Sequence, residues 1–290
     1  MSIAPPKSIE ELARRLEMDC VKLISISVKA PLLYGRKEIP REGKPPRIIE
    51  PPHKNLKELQ RKLLDTTLIH LRCDDSLFAR KGTNTVDAVI PHISKPILIT
   101  MDIKNFFPSV SHFQVKTALK SRGIPDDVAK LITRLTTHRH HLPQGAPTSV
   151  ELGRLVMHPV ALEVKRALDA TGTNYAFSMY VDDVIISGPV GLKRMIGIIY
   201  KIYERHGFNL DKSIKMRTMR LGKDVQEALG IRIDRGIEPG EAIRLKLAHA
   251  NSNSKEHKGL RSYASHLQNR NKKYSERKKC NVGGRCKLCH

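Results

Sequence analysis

The sequence predicts an α+β fold built around an antiparallel sheet. Short β-branched and apolar runs, typical of strands, interleave with longer segments that carry apolar residues at helical spacing. Some of the strand-like runs follow one another across tight turns, as in β-hairpins. With 290 residues, 40% of them hydrophobic, the chain can bury the core of one large domain with subdomains or of two small domains.

The first elements are predicted to be helical, with one irregular segment between them. Ser8-Ile-Glu-Glu11 has the spacing of a capping box and predicts a short helix through Leu16. A segment rich in proline and glycine follows, in which Arg47-Ile-Ile49 is a candidate strand. From Asn55 to Leu71 leucines recur at helical period, so we expect a helix with a basic outer face.

The middle of the chain contains the most distinctive strand. Ile97-Leu-Ile-Thr-Met-Asp-Ile103 is a buried strand that delivers Asp102 at its carboxyl end. Two further strands, Tyr175–Val181 and Val184–Ser187, flank Asp182-Asp183, which places a hairpin turn on the acids. The remaining predicted elements are helices at His112–Ser121, after Pro125 through Thr136, from Thr148 or Ser149 to about Ala170, at Leu192–His206 and near Gly259–Gln268, and a strand at Ala228–Asp234.

Charge and composition narrow the class of partner. The net charge is +23, and Lys and Arg are spread along the whole chain, so we expect a polyanion partner, with nucleic acid favoured over a membrane surface. Aromatic residues make up 4%, without any Trp, which favours contacts to a phosphate backbone over rows of stacked bases. The N-terminus lacks the layout of a signal peptide and no apolar run is long enough to span a membrane, so a cytoplasmic protein is expected.

Asp102, Asp182 and Asp183 are the chemically suggestive residues. Acids at the ends of apolar, buried strands are hard to explain as surface groups that keep the protein soluble, whereas Asp74-Asp75 and Asp126-Asp127 are explained by a turn and a helix N-terminus. Carboxylates brought together need cations, and two divalent ions held by such acids perform nucleotidyl transfer.

Four motifs in order give the resemblance that unifies these observations. They are Met101-Asp-Ile-Lys-Asn-Phe-Phe-Pro-Ser-Val110, Leu142-Pro-Gln-Gly-Ala-Pro-Thr-Ser149, Tyr180-Val-Asp-Asp183 and Gly207-Phe-Asn-Leu-Asp-Lys212. Together they resemble the motifs of reverse transcriptases, and the likeness covers about residues 30 to 270. The resemblance implies a right-hand polymerase fold, with fingers, a palm that contains the antiparallel sheet, and a small helical thumb.

The resemblance also implies roles for individual residues. Asp102, Asp182, Asp183 and the main-chain carbonyl of Ile103 would hold two Mg²⁺ ions, with Mn²⁺ as an alternative. Lys212 would be the general acid for pyrophosphate departure, with Lys215 close by. The implied nucleotide-binding residues are Arg41, Lys44, Arg47, Phe107, Gln144 and Gly145.

Structural alternatives remain for three of these residues. Phe106 and Phe107 could both be core, although neighbours on a strand face opposite ways, which would turn one ring toward the nucleotide. Gln144 could cap a turn, and Lys212 could be one more solvated lysine.

The likeness suggests a bacterial enzyme of the retron and group II intron-like lineage. The implied activity is synthesis of complementary DNA on a structured RNA with a primer, from deoxynucleoside triphosphates, giving an RNA–DNA hybrid. A role in phage defence and an effector protein partner would follow for a retron. Two alternatives stay open: a template-independent polymerase of a related defence system, and a catalytically idle RNA-binding module.

The sequence divides into four segments. We expect an N-terminal helical extension at 1–28, fingers and palm at 29–235, a thumb-like basic segment at 236–275 and a Cys/His basic tail at 276–290. The tail contains Cys280, Cys286, Cys289 and His290. Cys286-x-x-Cys289 suits Zn²⁺, but Cys289 and His290 are adjacent and cannot easily bind one ion, so a zinc site and a disordered basic end that touches RNA both stay open.

Overall fold

The computed structural model describes residues 3–41, 43–211, 216–250 and 254–283, with the backbone alone at 44 and 276–283. The α-helices in these ranges are α1 (Ile9–Arg15), α2 (Cys20–Lys29), α3 (Lys54–Thr66), α4 (Thr85–Val89), α5 (Phe106–Ser109), α6 (His112–Lys120), α7 (Asp126–Thr136), α8 (Ser149–Asp169), α9 (Ile196–Arg205), α10 (Glu241–His249) and α11 (Lys255–Gly283). Short 3-10 helices lie at Ala30–Leu32, Leu68–His70, Ile90–His92 and Val190–Met195. The strands are β1 (Lys37–Arg41), β2 (Lys44–Ile49), β3 (Ile97–Asp102), β4 (Ala176–Tyr180), β5 (Asp183–Gly188), β6 (Arg217–Arg220), β7 (Glu227–Ala228), β8 (Ile231–Arg232) and β9 (Glu238–Pro239).

The described residues form two compact units, each assembled from separate stretches of the chain. The first contains the residues up to Gly82 together with Ile103–Val164 and Tyr200–Leu210. The second contains Thr83–Asp102, Lys165–Ile199 and the described residues from Asp211 onward.

The first unit is organised around α7. Its residues Val128, Ile132 and Leu135 are fully buried, and α1, α2, α3 and α6 pack against it. The Gln60 side-chain amide donates to the carbonyl oxygen of Leu135 at 2.7 Å and to the Tyr34 hydroxyl at 2.7 Å. These bonds satisfy the amide nitrogen of a side chain that is itself fully buried, so they fix α3 against α7.

The predicted first helix is confirmed, with a small change in its cap. Ser8 Oγ accepts from the Glu11 amide at 3.2 Å, as a capping box requires. The Glu11 carboxylate, however, accepts from the amide of Lys7 at 2.7 Å rather than from that of Ser8. The hairpin around Arg47-Ile-Ile49 is also present, as the antiparallel pair β1 and β2.

The second unit contains the predicted antiparallel sheet, with strand order β4-β5-β3-β6. One of its faces is covered by a cluster that includes Leu98, Ile185, Met219, Ile231 and Leu267. Leu267 comes from the middle of α11, so the long helix completes the core of this unit.

Polar contacts also fasten α11 within the second unit. Arg270 forms an ion pair with Asp87 of α4, and Asn271 Oδ1 accepts from the amide of Ile237 at 3.0 Å. Asp87 is the third helical residue of α4 and completes a capping box with Asn84. The predicted helix at Gly259–Gln268 is therefore part of a longer helix that is anchored by its side chains.

The strand predicted at Ala228–Asp234 is wrong. The segment contains two short antiparallel strands, β7 and β8, joined by a turn at Leu229 and Gly230. Both turn residues have positive φ, of 54° and 71°, as a two-residue hairpin turn of the primed type requires. In addition, the helix predicted from Asn55 to Leu71 ends at Thr66, and that predicted at Leu192–His206 begins as a 3-10 helix.

In the described ranges no helix is both long enough and apolar enough to cross a membrane.

Candidate active site

The hairpin between β4 and β5 presents the two adjacent acids of the second unit. Tyr180 pairs with Asp183, which leaves Val181 and Asp182 as a two-residue turn. Val181 has a φ of +57°, a conformation that is a genuine outlier for a β-branched residue and costs on the order of 1–3 kcal/mol. The flanking pairs of the sheet hold this turn in place, so the position of Asp182 is set by the sheet.

The third acid lies directly opposite this hairpin. Asp102 is the last residue of β3 and is the cross-strand partner of Asp183. Residues paired in this way have Cβ atoms about 4.5–5.5 Å apart with both side chains on one face of the sheet. The carbonyl oxygen of Asp102 accepts from the amide of Asp211 at 2.8 Å, which anchors the end of β3. Two carboxylates are thus brought side by side at the ends of the two central strands of the sheet.

The first unit brings together two of the residues predicted to bind the nucleotide. With its amide oriented to satisfy both ends, Gln144 accepts from Arg47 Nε at 2.7 Å and donates to the carbonyl oxygen of Ile48 at 3.1 Å. The main-chain carbonyl of Gln144 accepts from the amide of Glu50 at 2.7 Å. Gly145 has a φ of +107°, which only glycine adopts without strain.

A buried carboxylate that the sequence did not point to supports this arrangement. Glu50 is only 8% exposed, and its Oε2 lies 2.9 Å from His141 Nε2 while its Oε1 lies 3.6 Å from His138 Nε2. The two histidines pair across a turn formed by Arg139 and His140, both with positive φ. Burial lowers the pKa of His138, and the nearby Glu50 opposes that shift. Glu50 therefore ties the segment that leads into Gln144 to the end of β2.

Residues 39–233 match the reverse transcriptase (RNA-dependent DNA polymerase) family, which is more than half of the chain. The chain belongs to the reverse transcriptase family.

Two curated relatives are reverse transcriptases of retrons. The retron Mx65 reverse transcriptase of Myxococcus xanthus is 25% identical over 253 residues, covering 79% of this chain and 58% of that protein. The retron Ec86 reverse transcriptase of Escherichia coli is 25% identical over 250 residues, covering 82% of this chain and 75% of that protein. The chain thus spans less than two thirds of the length of the Mx65 enzyme.

Solved structures of telomerase share the fold. That of Candida tropicalis with a TWJ fragment of telomeric RNA has a TM-score of 0.56 at 13% identity, covering 77% of this chain and 46% of that chain. That of Candida albicans, also with a TWJ fragment of telomeric RNA, has a TM-score of 0.51 at 12% identity, covering 71% and 45%. The predicted α+β, right-hand polymerase fold is confirmed.

Reverse transcriptases work with divalent cations, and the carboxylates of this chain suit such ions. Hard cations prefer oxygen ligands, and a cation between Asp102 and Asp183 would turn their mutual repulsion into attraction. In the described ranges no group of three or more Asp, Glu, His or Cys side chains forms a complete metal cage. Mg²⁺ in polymerases is held by one or two carboxylates together with substrate phosphates, so the donor set fits an ion that arrives with its nucleotide.

The reverse transcriptase motif around Phe107 folds differently from the expected strand. Phe106 and Phe107 begin the short helix α5, which follows Asn105 in the left-handed conformation. Phe106 is buried and its ring centroid lies 6.3 Å from that of Phe208, whereas Phe107 is only partly buried. Phe106 is therefore a core residue, and the position of Phe107 at the nucleotide stays a prediction that can no longer be argued from the alternation of a strand.

Several predicted site residues have no contact on which their role could rest. Arg41 Nε donates to the carbonyl oxygen of Pro45 at 3.0 Å within its own hairpin, and Ile103 forms an antiparallel bridge with Leu210. Of Lys44 and Cys280 only the backbone is described. The remaining predicted site residues lie outside the described part of the chain, namely Lys212, Lys215, Cys286, Cys289 and His290.

Proposed function

We propose that this protein is an RNA-directed DNA polymerase that makes complementary DNA on a structured RNA by two-metal nucleotidyl transfer. The observation that carries the proposal is the register of the palm sheet, which sets Asp102 opposite Asp183 beside a strained turn that contains Asp182. The activity is the one for which the reverse transcriptase family is named.

The carboxylates are the proposed metal ligands. Asp102, Asp182 and Asp183, with the carbonyl oxygen of Ile103, would hold two Mg²⁺ ions, for which Mn²⁺ could substitute. When bound, such ions activate the attacking 3′-hydroxyl of the primer and stabilise charge on the leaving pyrophosphate. The sheet contributes by fixing the ligands before the substrate arrives, so that little reorganisation is needed during the reaction.

The residues of the first unit are the proposed nucleotide site. Arg47 donates from its Nε and its Nη2 to the side-chain oxygen of Gln144, and its Nη1 would pair with triphosphate oxygens. Arg41 and Lys44 would add charge at the same hairpin, and Phe107 would exclude a ribose 2′-hydroxyl. Lys212 would donate the proton that the leaving pyrophosphate takes up.

RNA is the proposed template and deoxynucleoside triphosphates the proposed substrates. The retron relatives are reverse transcriptases, and the telomerase neighbours were solved with an RNA fragment. A net charge of +23 gives this chain the electrostatic means to bind such a polyanion. By analogy with the retron relatives, we further propose a retron-type enzyme with a role in phage defence.

Primer extension on an RNA template tests the proposal. Asp182→Asn keeps the size of the side chain but removes a negatively charged ligand, so it should abolish DNA synthesis while RNA affinity stays nearly unchanged. Asp127→Asn, in the Asp126-Asp127 pair at the N-terminus of α7, is a matched control and should extend primers like the parent. Equal extension rates for Asp182→Asn and the parent would refute the metal-site assignment. DNA made when the template is left out would instead favour a template-independent polymerase.

A further inference from the structure

A basic pocket lies at the end of the palm sheet remote from the acids. It encloses about 540 Å³ and is lined by Pro96, Ile97, Val190, Lys193, Arg220, Leu221 and Lys223, all within the second unit. Ile97 begins β3 and Asp102 ends it, so five residue steps of about 3.4 Å separate the pocket from the acids by roughly 17 Å. The pocket is therefore separate from the proposed site of nucleotide addition.

The cations of this pocket come from both sides of β3. Ile97 pairs with Gly188 of β5 on one side and with Arg220 of β6 on the other. Lys193 lies in the helix that follows β5, and Lys223 lies in the turn that follows β6. Strands β5 and β6 are two sheet spacings apart, about 10 Å, so positive charge stands on opposite walls of the pocket.

These three basic side chains are available to a ligand. In the described part of the chain Lys193, Arg220 and Lys223 have neither a carboxylate partner nor a side-chain hydrogen bond. Asp224 follows Lys223 in the chain, and its carboxylate accepts from the Arg220 main-chain amide at 2.8 Å. Arg232 and Arg270 of the same unit are, by contrast, paired with Asp234 and Asp87.

Apolar side chains complete the pocket. Val190 is 78% exposed and Leu221 is 39% exposed, although both are large aliphatic residues beside cations. A site that only attracted phosphate would gain nothing from such groups. A concave apolar surface with cations on two walls suits a nucleotide whose base is out of its stack and whose neighbouring phosphates lie on either side.

We infer that this pocket binds a nucleotide of single-stranded RNA, as a second RNA contact outside the polymerase site. The base lies against Val190 and Leu221, and Lys193, Arg220 and Lys223 neutralise the flanking phosphates. A duplex keeps its bases stacked and cannot fill the pocket in this way. The inference rests on the proposed function, because it takes RNA to be the polyanion that this chain handles.

The salt dependence of binding to a 20-nucleotide single-stranded RNA tests the charged part of the site. The double variant Lys193→Ala, Lys223→Ala should lower the slope of log affinity against log salt by about 1.4, since each phosphate contact contributes about 0.7. Between 50 and 250 mM salt the variant should therefore lose about tenfold less affinity than the parent. The matched control is Lys130→Ala, Lys201→Ala, which removes two exposed lysines of the first unit. An unchanged slope, or an equal fall in the control, would overturn the inference.

The apolar part of the site has its own test. Val190→Ser, Leu221→Ser should weaken single-stranded RNA binding severalfold without a change in slope, and should leave binding of duplex RNA of the same length as it is. Equal effects on single strand and duplex would refute a base-binding pocket.

Photo-crosslinking of RNA that contains 4-thiouridine identifies the ligand. It should label the peptides around Lys193 or Lys223, and millimolar ATP with Mg²⁺ should not compete. Competition by ATP would assign the pocket to a free nucleotide and overturn the inference. All these measurements report binding, so a protein that passes them yet extends no primer would refute the proposed function and leave this inference standing.

Discussion

Replacement of His92 should change how the stability of the protein depends on pH. His92 is fully buried, its Nδ1 lies 2.7 Å from Ser187 Oγ on β5, and its Nε2 has no hydrogen-bond partner in the described part of the chain. Burial, with a smaller effect of Lys95, lowers the pKa of His92 from 6.5 to about 3. The folded protein therefore keeps this imidazole neutral through the whole physiological range.

The magnitude follows from the difference in proton binding between the two states. Below pH 6.5 His92 binds a proton in the unfolded chain, whereas in the folded chain it stays neutral down to about pH 3. The contribution of neutral His92 to the free energy of unfolding is therefore fully present above pH 6.5 and is lost as the pH falls from 6.5 towards 3. At pH 5 the gap is about 1.5 pH units, which at 1.36 kcal/mol per unit corresponds to about 2 kcal/mol.

Urea unfolding at pH 8 and at pH 5 measures this contribution of His92 to the free energy of unfolding. His92→Gln should be less stable than the parent at pH 8, by about 1 kcal/mol for the altered bond to Ser187. Between pH 8 and pH 5, however, it should lose about 2 kcal/mol less than the parent. His266→Gln, at an exposed position, is the control and should keep the pH dependence of the parent. If His92→Gln and the parent lost the same stability on acidification, the argument from burial would be wrong.

Two further predictions concern the proposed nucleotide site. Phe107→Ala should raise ribonucleotide incorporation, whereas Phe106→Ala should instead destabilise the fold by about 3–5 kcal/mol. If Phe107→Ala discriminated against ribonucleotides as well as the parent does, the ring of Phe107 would not have the proposed role. Glu50→Gln should raise the KM for deoxynucleotides about tenfold with a smaller change in kcat, because a charged hydrogen bond worth about 1.4 kcal/mol no longer positions the segment of His141 and Gln144. A fall in kcat alone would contradict that reasoning.

The placement of the acids was predictable because it depends on local pattern. Apolar runs on both sides of Asp182-Asp183 could only be strands joined at the acids, and the run that ends at Asp102 had to be buried. Pairing of these strands then follows from the antiparallel sheet.

Other features escaped prediction for identifiable physical reasons. The hairpin at Leu229 and Gly230 was hidden inside an apolar run, and the glycine was the one local signal of a turn. Asn105 adopts a left-handed conformation and starts a helix where the alternation suggested a strand. The contact of Glu50 with His141 joins residues 91 positions apart, and the local sequence around either residue does not indicate that the other is its partner.

The contribution of α11 to the core has a consequence for biosynthesis. Leu98 and Ile185 lie on the same face of the sheet as Asp102 and Asp183, and they share their cluster with Leu267 of α11. A ribosome releases the acids well before it releases Leu267, which completes this cluster. Because buried surface drives the ordering of such a unit, we expect the nascent chain to hold its carboxylates in register only after α11 has left the ribosome.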